Sequence, residues 1–195
     1  MGYLIAGHFV KQRPDAARLR AALPKSIGFT VYEHLRHPVF AIDTFRATKP
    51  SQFPFSAATP ATDIPLEVSP ELSAVYEQLR NENAANGLKR SYVNLSRSLS
   101  SAVSQDVLSV YSDDDGNDFA CLSRGGEVVS GIARCEGYIV RFGPAHASRS
   151  PASSESGLHE LSSEAVTSFL GVAASDLGFG SMDPPDNMGF KVADA

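Results

Sequence analysis

The densest group of charged side chains in this sequence lies between residues 113 and 118 and reads DDDGND. Acidic residues at alternate positions are typical of the start of a calcium-binding loop. An EF-hand would also need glycine where Asp118 stands, a bidentate glutamate where Arg124 stands, and a helix on each side. The chain departs from all three requirements, so this acidic cluster (residues 113–118) does not predict an EF-hand.

Two main interpretations of the acidic cluster remain. Turns favour Asp, Asn and Gly, which is consistent with a solvated hairpin turn. Four carboxylates within six residues also repel one another, so a basic partner would relieve that repulsion. We therefore predict a partner-binding prong made of Asp113, Asp114, Asp115 and Asp118. Metal binding through another geometry ranks third, and the sequence predicts no resident metal or cofactor.

A second polar group lies near the end of a predicted strand and contains Glu33, His34 and His37. Side chains three positions apart on a strand point to opposite sides, so these histidines share a metal only if a turn redirects one of them. A catalytic histidine would also need a nucleophile or carboxylate beside it. The chain has no phosphate loop, dinucleotide fingerprint, GxSxG, HExxH or paired CxxC motif. A small enzyme with a site near His34 and His37 is thus the alternative function.

The elements that must position these residues centre on residues 106–142. Four short apolar runs alternate with three turn signals, which predicts a four-stranded antiparallel meander. Two-residue turns at Gly125-Gly126 and Glu136-Gly137, with a five-residue loop before them, set the register. In that register ten residues share one uncharged face: Leu108, Val110, Ala120, Leu122, Val129, Gly131, Ala133, Tyr138, Val140 and Phe142.

This register makes two further predictions. Leu122, Val129 and Val140 should be buried together under a helix whose apolar stripe contains Tyr92, Leu95 and Leu99 and whose serines face outward. Cys121 and Cys135 should lie on opposite faces and remain free thiols.

The rest of the chain predicts an α+β fold, an antiparallel sheet covered by helices. Residues 1–45 indicate a β-α-β-β unit, with an apolar central strand first and a helix that opens at Pro14-Asp15. Residues 46–68 form a Pro-rich connector, and 69–142 a helical pair plus the meander. Residues 143–195 indicate a flexible link, a short helix from Leu158 to Leu170 and an irregular tail. These segments form two small lobes or one compact domain.

The charge and the apolar runs of the chain limit the classes of partner that the sequence predicts. The net charge is −5, which argues against a nucleic-acid partner. No apolar run reaches membrane-spanning length, and the N-terminus places Lys11 after a short apolar run, unlike a signal peptide. With only two cysteines, the sequence predicts a cytoplasmic protein that binds neither nucleic acid nor membrane.

Residues 110–135, VYSDDDGNDFACLSRGGEVVSGIARC, combine an acidic turn with a Gly-turn hairpin. This segment resembles parts of small bacterial immunity proteins, which neutralise toxins. The resemblance implies a cytoplasmic, acidic, non-enzymatic inhibitor that occludes a cognate protein partner, such as a basic toxin. A subunit of a larger assembly is a third possibility, and the oligomeric state does not follow from the sequence.

Overall fold

The computed structural model describes residues 4–46, 90–113, 118–135, 138–143, 147–151, 160–177 and 189–193. Within these ranges the chain forms three α-helices, namely α1 (Ala16–Ala22), α2 (Arg90–Val103) and α3 (Glu160–Leu170), and a 3-10 helix, Ala174–Leu177. The strands are β1 (Leu4–Val10), β2 (Ile27–His34), β3 (Phe40–Arg46), β4 (Val107–Asp113), β5 (Asp118–Arg124), β6 (Glu127–Cys135), β7 (Tyr138–Phe142), β8 (Ala147–Pro151) and β9 (Phe190–Val192).

The N-terminal segment has the predicted β-α-β-β order. Helix α1 begins after Asp15, whose carboxylate accepts hydrogen bonds from the backbone N–H groups of Ala17 (2.8 Å) and Arg18 (3.2 Å). These bonds satisfy two of the donors that every helix leaves unpaired in its first turn. The Pro14-Asp15 start that the sequence predicts is confirmed.

All nine described strands join one antiparallel sheet in the order β8-β7-β6-β5-β4-β1-β3-β2-β9. Strand β1 lies between β4 and β3, which confirms it as a central strand. Its pairing with β4 places the β-α-β-β segment and the meander in the same sheet. The expectation of an α+β fold with an antiparallel sheet is met, whereas the predicted four strands are only part of a larger sheet.

Both faces of the sheet are covered, so the fold has three layers. Helices α1 and α2 lie on one face, and α3 with the 3-10 helix lies on the other. The core under α1 and α2 includes Val10, Leu19, Ile42, Leu95, Leu99, Phe119, Val128 and Phe142. The core under α3 includes Phe9, Tyr32, Ala41, Leu108, Val110, Ala120, Val166, Leu177 and Phe190.

The meander confirms part of the predicted register. Val110 pairs with Ala120, Leu108 with Leu122, and Arg124 with Glu127. Gly125 (φ +57°) and Gly126 (φ +89°) both have positive φ, as the tight type I′ hairpin turn requires. Across the next turn Ala133 pairs with Val140, and Gly131 with Phe142, also as predicted.

A β-bulge overturns the rest of the predicted register. Ser123 pairs with Val128, but Leu122 pairs with Ser130, so Val129 is an extra residue in β6. One extra residue exchanges the two faces of everything that follows it. The predicted uncharged face is therefore wrong, because Leu108, Val110, Ala120 and Leu122 lie on the α3 side, whereas Gly131, Ala133 and Phe142 lie on the α2 side.

The predicted packing under α2 is wrong for the same reason. Val129 is 39% exposed and Leu122 packs on the α3 side, while Val128 takes the place beneath α2 with Leu95 and Leu99. The side chains of Tyr92 and Val140 lie outside the described residues. The serines of α2 do not all face outward either. Ser96 and Ser100 are fully buried, and the Ser100 hydroxyl accepts a hydrogen bond from the Gly126 N–H (3.0 Å).

The remaining segments differ from expectation in two places. Residues 147–151, predicted to belong to a flexible link, form edge strand β8, and residues 190–192 of the predicted irregular tail form edge strand β9. The short helix predicted from Leu158 to Leu170 corresponds to α3, which spans Glu160–Leu170. The Pro-rich connector beyond Arg46 and the first helix of the predicted pair lie outside the described residues.

Candidate functional site

The acidic cluster joins two neighbouring strands at one end of the sheet. Asp113 is the last residue of β4, where it pairs with Leu4 of β1, and Asp118 is the first residue of β5, where it pairs with Arg134 of β6. Residues 114–117 lie outside the described residues. The predicted partner-binding carboxylates are thus confined to a short connection whose two ends are fixed by strand pairing.

Asp118 differs from the exposed carboxylate that the sequence predicts. It is 1% exposed, and its carboxylate accepts hydrogen bonds from the backbone N–H groups of Leu161 (2.7 Å) and Ser162 (3.1 Å). These N–H groups belong to the first turn of α3, where the helix dipole also favours a negative charge. Asp118 therefore fixes the start of α3 against the sheet, and this burial removes it from the predicted partner-binding surface.

A buried polar network lies at the centre of the sheet, on the side of α1 and α2. His8 of β1 makes two side-chain hydrogen bonds, from Nδ1 to the Ser109 hydroxyl (2.6 Å) and from Nε2 to the Thr44 hydroxyl (3.1 Å). These bonds link β1 to β4 and to β3. Sequence reasoning missed this network, although a histidine within an apolar central strand is a signal that buried partners exist.

The Ser109–His8 distance matches that of a nucleophile and its general base. Burial argues against this role. His8 and Ser109 are fully buried and Thr44 is 3% exposed, so a substrate cannot reach the hydroxyl. Burial also lowers the pKa of His8 to about 3, which makes it a weak base at neutral pH. We interpret the network as structural.

Cys121 lies next to this network, because it pairs with Ser109 across β4 and β5. Its sulfur lies 3.8 Å from the Ser123 hydroxyl, which accepts a hydrogen bond from Ser96 of α2 (2.9 Å). Burial raises the pKa of the Cys121 thiol to about 12, so the reactive thiolate is absent at neutral pH. The free thiol predicted for Cys121 is confirmed. The side chain of Cys135 lies outside the described residues. The register from which the opposite faces were predicted changes at the bulge, because Cys121 pairs with Gly131 and not with Ser130.

His34 and His37 come together because the turn redirects His37, which is the condition that the sequence sets for these two side chains to meet. Strand β2 ends at His34, and the turn of residues 35–38 folds His37 back until the ring centroids stack 4.9 Å apart. His34 Nδ1 accepts hydrogen bonds from the backbone N–H groups of Arg36 (3.2 Å) and His37 (3.1 Å). Phe190 of β9 packs edge-on against the His34 ring at 4.8 Å. This group (His34, residues 35–38, Gly189 and Phe190) is called the His34 corner below.

The chemistry available at the His34 corner is limited by burial. His34 is 7% exposed, and its Nε2 atom has no hydrogen-bond partner among the described residues. Burial lowers the pKa of His34, and the neighbouring His37 and Arg36 add to this effect, with Asp176 opposing it. The described part of the chain brings no three His, Cys, Asp or Glu side chains together as a metal site. The small enzyme near His34 and His37 stays a prediction.

An apolar groove opens beside α3, on the same side of the sheet. It has a volume of about 380 Å³, and the bulge residue Val129 lines it with Leu122, Ile132 and Ala165. Arg141 and Ser130 supply its polar lining. The bulge shapes the groove, because the extra residue in β6 brings Ile132 to the α3 side, where it lies opposite Ala120 and next to Leu122.

Comparison with known proteins does not assign this chain to a family. No family model, curated protein or solved structure matches this chain. Among the described helices, none combines the length and the apolar character that crossing a membrane requires.

Proposed function

We propose that this chain is a non-enzymatic, cytoplasmic binding protein of immunity type, which occludes a basic protein partner such as a toxin. In this proposal Asp113, Asp114 and Asp115 contact the partner, and Asp118 supports them from within the fold. The partner's inhibition follows from steric occlusion, with electrostatic attraction accelerating the encounter.

The observation that carries the proposal is the way the acidic cluster is anchored. Strand pairing fixes both of its ends, at Asp113 and at Asp118, and the buried Asp118 carboxylate ties the second end to α3. A short connection with fixed ends loses less conformational entropy on binding than a long loop does. Repulsion among like charges in such a connection is relieved when a cationic partner approaches.

The charge of the chain also supports a basic partner. The net charge is −5. The acidic excess is concentrated at residues 150–195, which contain seven Asp or Glu residues but only one Lys or Arg. An acidic protein attracts a cationic partner over about the Debye length, near 8 Å at physiological ionic strength.

A binding experiment with the purified product of a neighbouring toxin-like gene tests this proposal. The triple variant Asp113→Asn, Asp114→Asn, Asp115→Asn removes three carboxylates of the acidic cluster and leaves the buried Asp118 in place. We expect its affinity, measured by calorimetry, to fall about tenfold, because three charge pairs that contribute about 0.5 kcal/mol each sum to roughly the 1.4 kcal/mol of a tenfold change. Inhibition of the partner's activity should weaken in parallel.

A matched control separates the local effect from the net charge. Glu127, Glu164 and Asp176 are exposed acidic residues outside the acidic cluster. The variant Glu127→Gln, Glu164→Gln, Asp176→Asn makes the same change in net charge and should retain most of the affinity. Equal losses in the two triple variants, or none in either, would contradict a binding site at the acidic cluster.

A further inference from the structure

The His34 corner joins two parts of the chain that are far apart in sequence. The Leu35 N–H donates to the Gly189 carbonyl (2.8 Å), and the Ala193 N–H donates to the Val31 carbonyl (2.9 Å). Lys191 of β9 pairs with Glu33 of β2 at 2.8 Å. Strand β9 is only three residues long and forms the edge of the sheet, so these contacts and the His34–Phe190 packing attach it.

The hydrogen bonds of His34 require its neutral form. Nδ1 accepts from two backbone N–H groups, so it carries no proton, and the proton of the neutral ring is on Nε2. A second proton can enter only at Nδ1. Protonation would therefore replace both acceptor contacts with an N–H group facing two other N–H groups.

The surroundings of the ring offer little compensation for a positive charge. His37 and Arg36 of the turn add positive charge, and Phe190 of β9 covers one side of the ring. Asp176 of the 3-10 helix is the opposing acidic group, and it is exposed. At Gly189, which has φ +73°, an added Cβ would lie 2.7 Å from His34 Nε2, so the backbone closes over that atom.

We propose that the His34 corner is a pH-sensitive switch, in which protonation of His34 opens the turn of residues 35–38 and loosens edge strand β9. The sign of the pH dependence follows from linkage. Burial lowers the pKa of His34 in the closed form below its ordinary value of 6.5. The open form therefore binds the proton more readily, and closure is complete above pH 6.5 and lost as the pH falls through the lower pKa.

Amide hydrogen exchange of the intact protein, followed by NMR from about pH 7.5 to about pH 4.5, tests the switch. After correction for intrinsic exchange, protection of the Arg36 and His37 amides should fall by up to about tenfold for each pH unit between pH 6.5 and the lower pKa of the closed form, and should level off below it. The Leu35 and Ala193 amides should follow with β9. Leu23, whose N–H donates to the Leu19 carbonyl in α1, is the reference amide because it lies outside the corner.

Two variants sharpen the test. His34→Gln retains a side-chain acceptor without a titrating group, so the pH transition at Arg36 and His37 should disappear. His37→Gln removes a neighbour that lowers the pKa of His34, so the transition should move toward pH 6.5. The proposal is overturned if wild-type protection is flat over this range, if His34→Gln keeps the transition, or if Leu23 loses protection in parallel, which would indicate global unfolding.

Discussion

Two buried polar side chains have structural roles that differ from the functional roles their residue types indicate. Asp118 belongs by sequence to an acidic cluster, and His8 stands beside a serine as a catalytic base would. Burial decides the role of each, because a charge or base that solvent cannot reach must be satisfied within the protein. Asp118 therefore fixes the start of α3, and His8 joins three strands.

The Asp118→Asn variant tests the structural role of that carboxylate. Asparagine is nearly isosteric but neutral, so it weakens the charge-assisted hydrogen bonds to Leu161 and Ser162. We expect the free energy of unfolding, measured with urea, to fall by about 1–3 kcal/mol. Glu164→Gln, an exposed position in α3, makes the same charge change and should shift it by less than about 0.5 kcal/mol. An unchanged stability for Asp118→Asn would contradict this structural role.

His8 makes stability depend on pH in a specific range. Its pKa is about 3 in the folded protein and near 6.5 in the unfolded chain, so the unfolded state takes up a proton between these values. Linkage then predicts that the folded state loses about 2 kcal/mol through His8 between about pH 7.5 and about pH 5. His8→Gln lowers stability at every pH but should remove that part of the pH dependence. The urea midpoint of each protein would be measured at both pH values. An equal change in midpoint for the wild type and His8→Gln would refute this assignment.

At the scale of elements, the sequence predicts the features that depend on neighbouring residues but not those that depend on pairing with distant strands. The Gly125-Gly126 turn, the Pro14-Asp15 helix start and the central position of β1 all follow from the sequence, because turn chemistry and caps act locally. The bulge does not, because Val128 and Val129 are equally apolar neighbours and either can face the core. One extra residue then reversed the prediction for an entire face.

Valine substitutions at these two positions test the bulge. Val128 is 5% exposed beneath α2, whereas Val129 is 39% exposed in the groove. Val128→Ala removes two buried carbon groups and should cost about 2 kcal/mol of stability, at about 0.8 kcal/mol each. Val129→Ala should cost less than about 0.5 kcal/mol. The reverse order of the two costs would restore the regular register and reject the bulge.

At the scale of the whole molecule, the described strands form one sheet that helices cover on both faces. The pairing of β1 with β4 joins segments about a hundred residues apart, which no local pattern encodes. The same limit applies to the sites. The sequence located the acidic cluster and the two histidines, but the Asp118 contact with α3 and the Gly189 contact with His34 depend on distant segments.

The salt dependence of association with the basic partner tests the proposed function most directly. Stopped-flow association rates would be measured from about 50 mM to about 500 mM NaCl for the wild type, the Asp113, Asp114 and Asp115 triple variant, and the triple variant at Glu127, Glu164 and Asp176. We predict that the first triple variant associates about tenfold more slowly at low salt and loses most of the salt dependence, while the second resembles the wild type. Identical rates and salt slopes for the wild type and the Asp113, Asp114 and Asp115 variant would contradict partner binding at the acidic cluster.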